Sequence, residues 1–297
     1  MRAFIYDKYG YYPPNEDSTS FEYKGWFFKL EISEKNDSQI NELRLLLDKI
    51  NTEFNPLGCD ILLTRDNRYV SYSEYGPVIM VAIKMGEVNT DTLLKMHSLF
   101  FNKFNEKMKI SKLRELWLSK SRNIEERILP SIPIDNKEFH KMKIIGEYTL
   151  YLIENAIQYL LDSQIYYGDE ISNVTLTHKR IEKLDAFYLF NPSNLVVDSP
   201  MRDLSELYKN DEIIIEDLCL LIKKYNITSL DASLLMARCI YPSKFVDLFE
   251  DYYELKKDVK SLVTKYYDLI YVQLIKLKKL HAYLVKNYMI RPINWLK

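Results

Sequence analysis

The chain has 297 residues, with 41 basic and 42 acidic side chains, so its net charge of −1 offers no global field to draw in nucleic acid or an anionic membrane. Hydrophobic residues make up 47% and charged residues 28%, which excludes a disordered chain and suits two packed lobes. Only 7 glycines stand beside 24 tyrosines; few positions can take a positive φ or pass close to phosphate, which disfavours a glycine-rich nucleotide loop. Cys59, Cys219 and Cys239 are widely spaced and form no CxxC pair, so neither a disulfide framework nor a zinc site is expected and a reducing, cytoplasmic setting fits. The opening MRAFIYDKYGYYPPNED lacks the apolar core of a signal peptide, and no apolar run approaches the roughly 20 residues that span a bilayer.

Residues 1–85 read as an N-lobe of mostly antiparallel strands with one helix. Phe21 to Ile32 alternates, with Trp26, Phe28 and Leu30 on one face. Ser38 to Phe54 has helical spacing through Ile40, Leu43, Leu47 and Ile50, with Asp37 or Ser38 as the N-cap. Cys59 to Thr64 and Arg68 to Ser73 read as short strands, and Val78 to Ile83 as a buried one. Residues 86–297 read as a helical C-lobe. Helices are expected over 90–109 and 111–129, with breaks at Pro130 and Pro133, and over 146–163, whose stripe is Leu150, Ile153, Ile157, Leu160 and Leu161. A small β insertion spans about 173–197. Helices follow over 201–209, 213–225, 228–240, 242–256 and 258–288, the last with Val259, Val263, Tyr266, Ile270, Leu274, Leu277 and Leu284 in step. Lys276, Lys278 and Lys279 read as its wet side. Tyr252-Tyr253 and Tyr266-Tyr267 read as core plus rim, with a protein-binding surface as the alternative. The four histidines show no metal spacing.

Four blocks carry a resemblance: ENAIQYLLDS from Glu154, LTHKRI from Leu176, VVDSPMRDLSEL from Val196 and MARCIYPSKFVDLFEDYY from Met236. In order and spacing they resemble the spore-coat-associated kinase-like proteins of the CotS and YutH type, within the aminoglycoside phosphotransferase-like superfamily. The resemblance implies an α+β, protein-kinase-like two-lobed fold and, in a sporulating organism, a place in the spore coat. Active members of that superfamily carry H-G-D in the catalytic loop, an Asn five positions after the Asp and a later metal-binding Asp. Phosphoryl transfer needs a carboxylate to orient or deprotonate the acceptor and oxygen ligands to hold Mg²⁺.

By that resemblance His178 matches the motif His, Lys179 stands for the Gly, and Arg180, a permanent cation, takes the base position. Asp185 falls loosely at the Asn, Asn191 at the metal-binding Asp and Ser193 at the neighbouring acid. Asp198, Arg202 and Asp203 match the segment after the metal loop. Asp203 is expected to bond catalytic-loop amides or to cap a helix starting near Leu204. Lys29 in WFFKLEI sits where a nucleotide-binding strand lysine could sit, with Glu42 as its helix partner.

The reading that follows is a catalytically degenerate kinase-like protein, a pseudokinase acting in binding or assembly with protein partners. No cofactor or metal is expected, weak ATP and Mg²⁺ binding stays open, and no nucleic acid is expected. The alternative is an active small-molecule phosphotransferase of the aminoglycoside or choline kinase type, whose acids would be relocated to Asp185, Asp198 and Asp203.

Overall fold

The computed structural model describes residues 1–105, 107–133, 137–253 and 260–297. In chain order the first elements are α1 (Arg2–Tyr9), β1 (Ser20–Tyr23), β2 (Trp26–Ile32), α2 (Asp37–Phe54), β3 (Gly58–Leu62), β4 (Ser71–Ser73), β5 (Gly76–Lys84) and α3 (Thr90–Phe100). Next come β6 (Met108–Lys109), α4 (Ile110–Asn123), a π-turn (Ile124–Ile128), α5 (Leu129–Ser131), α6 (Lys137–Tyr167) and β7 (Glu170–Ile171). The chain continues through β8 (Thr175–His178), α7 (Ala186–Phe190) and β9 (Leu195–Asp198). It ends in α8 (Met201–Lys209), α9 (Ile215–Lys224), α10 (Ser229–Ile240), α11 (Ser243–Tyr253) and α12 (Lys260–Tyr288). These elements gather into two compact units. One is Met1–Phe100 with Leu176–Val197, the other Phe101–Thr175 with Asp198–Lys297. Residues 86–100 and most of the β insertion thus group with the N-terminal strands.

In the first unit the antiparallel strand order is β1-β2-β5-β3, and β4 also pairs with β5. The alternating run Phe21 to Ile32 is a hairpin rather than one strand. Lys24 (φ 51°) and Gly25 (φ 76°) are both left-handed, as a two-residue turn that matches strand twist requires, and Tyr23 faces Trp26 across it. Gly25 therefore serves a turn. The start of the chain is helical, so this region holds more than the one helix expected. Ile5 and Tyr9, one turn apart, pack with Phe21, Phe28, Leu30, Val78, Met80 and Ala82 on one face of the sheet. The N-cap of α2 is Asn36, which forms a capping box with Gln39, while Asp37 accepts from the backbone N–H groups of Tyr69 and Val70. Asn51 clamps α2 to β3 by bonding both the N–H and the C=O of Cys59.

Side chains alternate along a strand, so Phe27, Lys29 and Glu31 point away from the face that holds Phe28 and Leu30. There they meet the returning segment β8-α7-β9. Phe27 lies edge-on to Phe187 at 5.4 Å between ring centroids, and Phe54 of α2 meets Phe190 at 5.3 Å.

In the second unit the 31-residue α6 packs against α4, α10 and α12. Every residue of α10 from Leu230 to Ile240 is buried, so its polar members Asp231, Ser233 and Arg238 must find partners inside the unit. Trp117 of α4 stacks on Tyr241, with centroids 4.3 Å apart. The helix expected over 90–109 ends at Phe100, and Met108–Lys109 pairs with β7 instead. Val259 and the predicted helix ends over 254–259 lie outside the described residues. No helix among the described residues is long and apolar enough to cross a membrane.

His281 of α12 is buried, and its Nε2 accepts the Ile293 N–H at 2.8 Å, tying the C-terminal segment to the helix. Burial, and then the Lys297 ammonium, push its pKa below the ordinary 6.5. Below that pH the unfolded chain takes up a proton that the folded one refuses, so stability falls as pH falls. Melting curves from pH 7.5 down to about 5 should show a smaller loss for His281→Gln, which keeps an acceptor but cannot titrate. Parallel losses would contradict this assignment.

Candidate functional site

The sequence-marked residues of the first unit converge on two short hydrogen-bonded pieces. His178 ends β8, is fully buried, and donates from Nε2 to the Leu189 carbonyl at 3.0 Å. The next two residues are held by Asn194. The Asn194 carbonyl accepts from Lys179 N–H at 2.7 Å, and its side-chain oxygen accepts from Arg180 N–H at 2.9 Å. Its amide nitrogen donates to the carbonyls of Arg180 (2.5 Å) and Tyr188 (3.2 Å). The loop is thus shaped largely by the Asn194 side chain and carries two basic residues, Lys179 and Arg180. Lys179 lies 3.6 Å from the exposed Glu34 carboxylate, a contact worth little in water. Lys35 has its pKa lowered, first by burial and then by the Lys179 ammonium. Asp185 caps α7 by accepting from Tyr188 N–H at 2.9 Å.

The second piece joins β2 to the turn after α7. Glu31 Oε1 accepts from Lys29 Nζ at 2.9 Å and from Asn191 Nδ2 at 3.0 Å. Asn191 is buried, and its side-chain oxygen accepts from Ser193 N–H at 3.0 Å, capping the 3-10 turn Pro192–Asn194. Its amide therefore faces its own loop on one side and a carboxylate on the other. The Ser193 hydroxyl is buried and makes no hydrogen bond among the described residues. The Lys29 ammonium also lies 4.9 Å from the centre of the Phe187 ring. Lys29 thus pairs within its own strand, and Glu42, its expected partner, stands exposed on α2.

Glu31 and Asn194 carry this geometry, and the sequence reading singled out neither. Glu31 lies two residues after Lys29, hence on the same strand face, a signal that period two could have supplied. Asn194 ends a Pro-Ser-Asn turn, where Asn commonly bonds nearby backbone.

In the second unit Asp198 is a saturated acceptor. Both its oxygens take Arg238 Nη2 at 2.8 Å; Oδ2 also takes Arg202 Nη1 at 2.7 Å, and Oδ1 takes Ser199 N–H at 2.6 Å. Arg238 is buried, and desolvation lowers its pKa despite the opposing Asp198 charge. Asp203 is fully buried in the first turn of α8, which starts at Met201 with Pro200 as N-cap, so Asp203 does not cap a helix beginning near Leu204. Its carboxylate adds to the burial that raises the Tyr225 pKa. No group of three or more His, Cys, Asp or Glu side chains suited to a metal occurs among the described residues. Cys59 and Cys239 are buried thiols, and burial pushes Cys239 up to about 12, far from a reactive thiolate.

Two solved structures of spectinomycin phosphotransferase APH(9)-Ia share this fold. The complex with ADP and spectinomycin is 13% identical, covers 90% of this chain and 92% of its own, and has a TM-score of 0.55. The AMP-bound complex is 11% identical, with coverage of 91% and 93% and a TM-score of 0.51. An aminoglycoside phosphotransferase from Alicyclobacillus acidocaldarius also matches, at 12% identity, 93% and 92% coverage and a TM-score of 0.49. The fold is that of the two spectinomycin phosphotransferase structures, a sheet-containing N-terminal region followed by a mostly helical remainder. Residues 2–285 match the family described as "Spore coat putative kinase YutH", and the chain belongs to that family. No curated protein matches it.

Replacing Asp198 by Asn leaves Arg238 as a buried, poorly compensated cation. The expected cost is about 3–5 kcal/mol, a drop in Tm of roughly 6–20 °C. Arg202→Ala, which removes a more exposed partner, should cost less. Equal, small effects of both would show that Asp198 does not hold this cluster.

Proposed function

We propose that this chain is a kinase-fold protein that acts by binding, as a component of spore-coat assembly, and does not transfer phosphate. The observation that carries this reading is the use to which Asn191 is put. Its side-chain oxygen caps its own turn and its nitrogen is bonded to Glu31. An amide in that position brings no charge to Mg²⁺, and Glu31 is already engaged with Lys29. The catalytic-base position holds Arg180, which cannot accept a proton. Of the three acids that an active enzyme would have to recruit, Asp185 caps a helix, Asp198 holds two arginines, and Asp203 is fully buried in α8. Membership of a spore-coat family supports the location.

The phosphotransferase reading keeps one specific support, the Glu31 carboxylate beside Asn191. Incubation of the full chain with radiolabelled ATP, Mg²⁺ and pooled amino-alcohol, choline and aminoglycoside acceptors separates the two. No protein-dependent labelled product is expected. A product that vanishes in Glu31→Gln, with the fold retained, would replace the binding reading by the catalytic one.

A further inference from the structure

The second unit carries a concave site far along the chain from the loop residues. A pocket of about 80 Å³ is walled by Phe245, Leu269, Val272 and Leu277, with Lys244 and Lys276 also on its lining. Since a water needs about 10–15 Å³ of such space, it has room for several waters, or for one apolar side chain. Lys276 is partly structural. Its ammonium donates to the Tyr208 carbonyl at 3.0 Å, at the C-terminal end of α8, and pairs with Asp211, so it is not simply the wet side of α12.

The pocket opens beside an apolar face of the same helix. Tyr271 is 70% exposed, Val272 44% and Ile275 40%, at spacings that put them on one side of α12. Tyr267, one turn earlier, is also exposed. From Leu269 to Tyr288 the helix carries Lys276, Lys278, Lys279 and Lys286 and no acidic residue. Lys278, Lys279 and Lys286 are exposed, and so is Lys244 on α11. Apolar contact and positive charge therefore run together along one helix of a chain whose net charge is −1.

We infer that this pocket and the adjoining face of α12 dock an acidic protein segment that inserts one apolar or aromatic side chain between Phe245 and Val272. The charge sets the sign of the partner, since acidic side chains flanking the anchor would meet Lys244, Lys278 and Lys279. The pocket sets its kind. A peptide anchor fills a concavity, as buried anchors do at protein interfaces, whereas an anionic membrane is met by protruding apolar side chains. The site holds whether or not the protein transfers phosphate, so its failure and that of the binding reading above are separable.

The test is selection from a random phage-displayed 12-residue peptide library with the full chain as bait. Enriched peptides are then synthesised and measured by fluorescence polarisation. The expected winners place acidic residues around a Leu, Phe or Trp. Val272→Glu and Lys244→Glu should weaken them at least about tenfold, with Tm within a few degrees of the parent because both positions are exposed. Three results would overturn the inference: no enrichment, enriched peptides without acidic residues, or winners indifferent to both substitutions. A fourth would reassign the surface to a membrane. That result is co-sedimentation with vesicles of 30% phosphatidylserine in phosphatidylcholine, lost in Val272→Glu, without peptide binding.

Discussion

Glu31 is the constraint around which the candidate site is built. The two-residue period of β2 sets it on the same face as Lys29, and the return of the chain through β8, α7 and β9 brings Asn191 against that face. One carboxylate oxygen then accepts from both. Its side chain is 12% exposed and that of Lys29 37%, so the pair stands at the edge of the packed interior. A buried carboxylate without donors would be costly, so each partner has a structural reason to keep this arrangement. The charge arithmetic also matters for function. Under the proposed reading, the strand lysine Lys29 already faces a carboxylate, and Asn191 is neutral.

The same logic recurs in the second unit with the signs exchanged. Arg238 is a buried cation, and Asp198 answers it with both oxygens while also holding Arg202. Lys209 is satisfied by Glu206 at 2.7 Å and Ser243 at 2.7 Å, with two backbone carbonyls near by. Asp198, Arg202, Glu206, Lys209 and Arg238 thus each have a partner within the helical unit itself.

Much of the fold was legible in the sequence because its elements are strongly periodic. The helix over 201–209 was placed to the residue, and those over 213–225 and 228–240 to within two; in the structure Thr228 caps the last of these. The strand Val78 to Ile83 was legible as an uninterrupted apolar run. What failed depended on backbone conformation or on distant contacts. A lone Gly25 after Lys24 did not reveal a hairpin, because the left-handed lysine is not a sequence signal. The first helix was missed because its burial rests on Ile5 and Tyr9 meeting a sheet formed later in the chain. Motif spacing drew attention to His178, Arg180 and Asn191, which lie on neighbouring hydrogen-bonded turns, while the partner of Lys29 was sought on the following helix. Period two could have paired Glu31 with Lys29, but its bond to Asn191, 160 residues further on, leaves no local trace.

The proposal that this kinase-like fold does not hold Mg²⁺ is tested most directly by nucleotide affinity measured with and without the ion. Calorimetric titration of ATP into the full chain should give either no binding or a Kd that differs by less than about twofold between excess Mg²⁺ and EDTA. Binding strengthened tenfold or more by Mg²⁺, and losing that gain in Asn191→Ala or Glu31→Gln, would contradict the account.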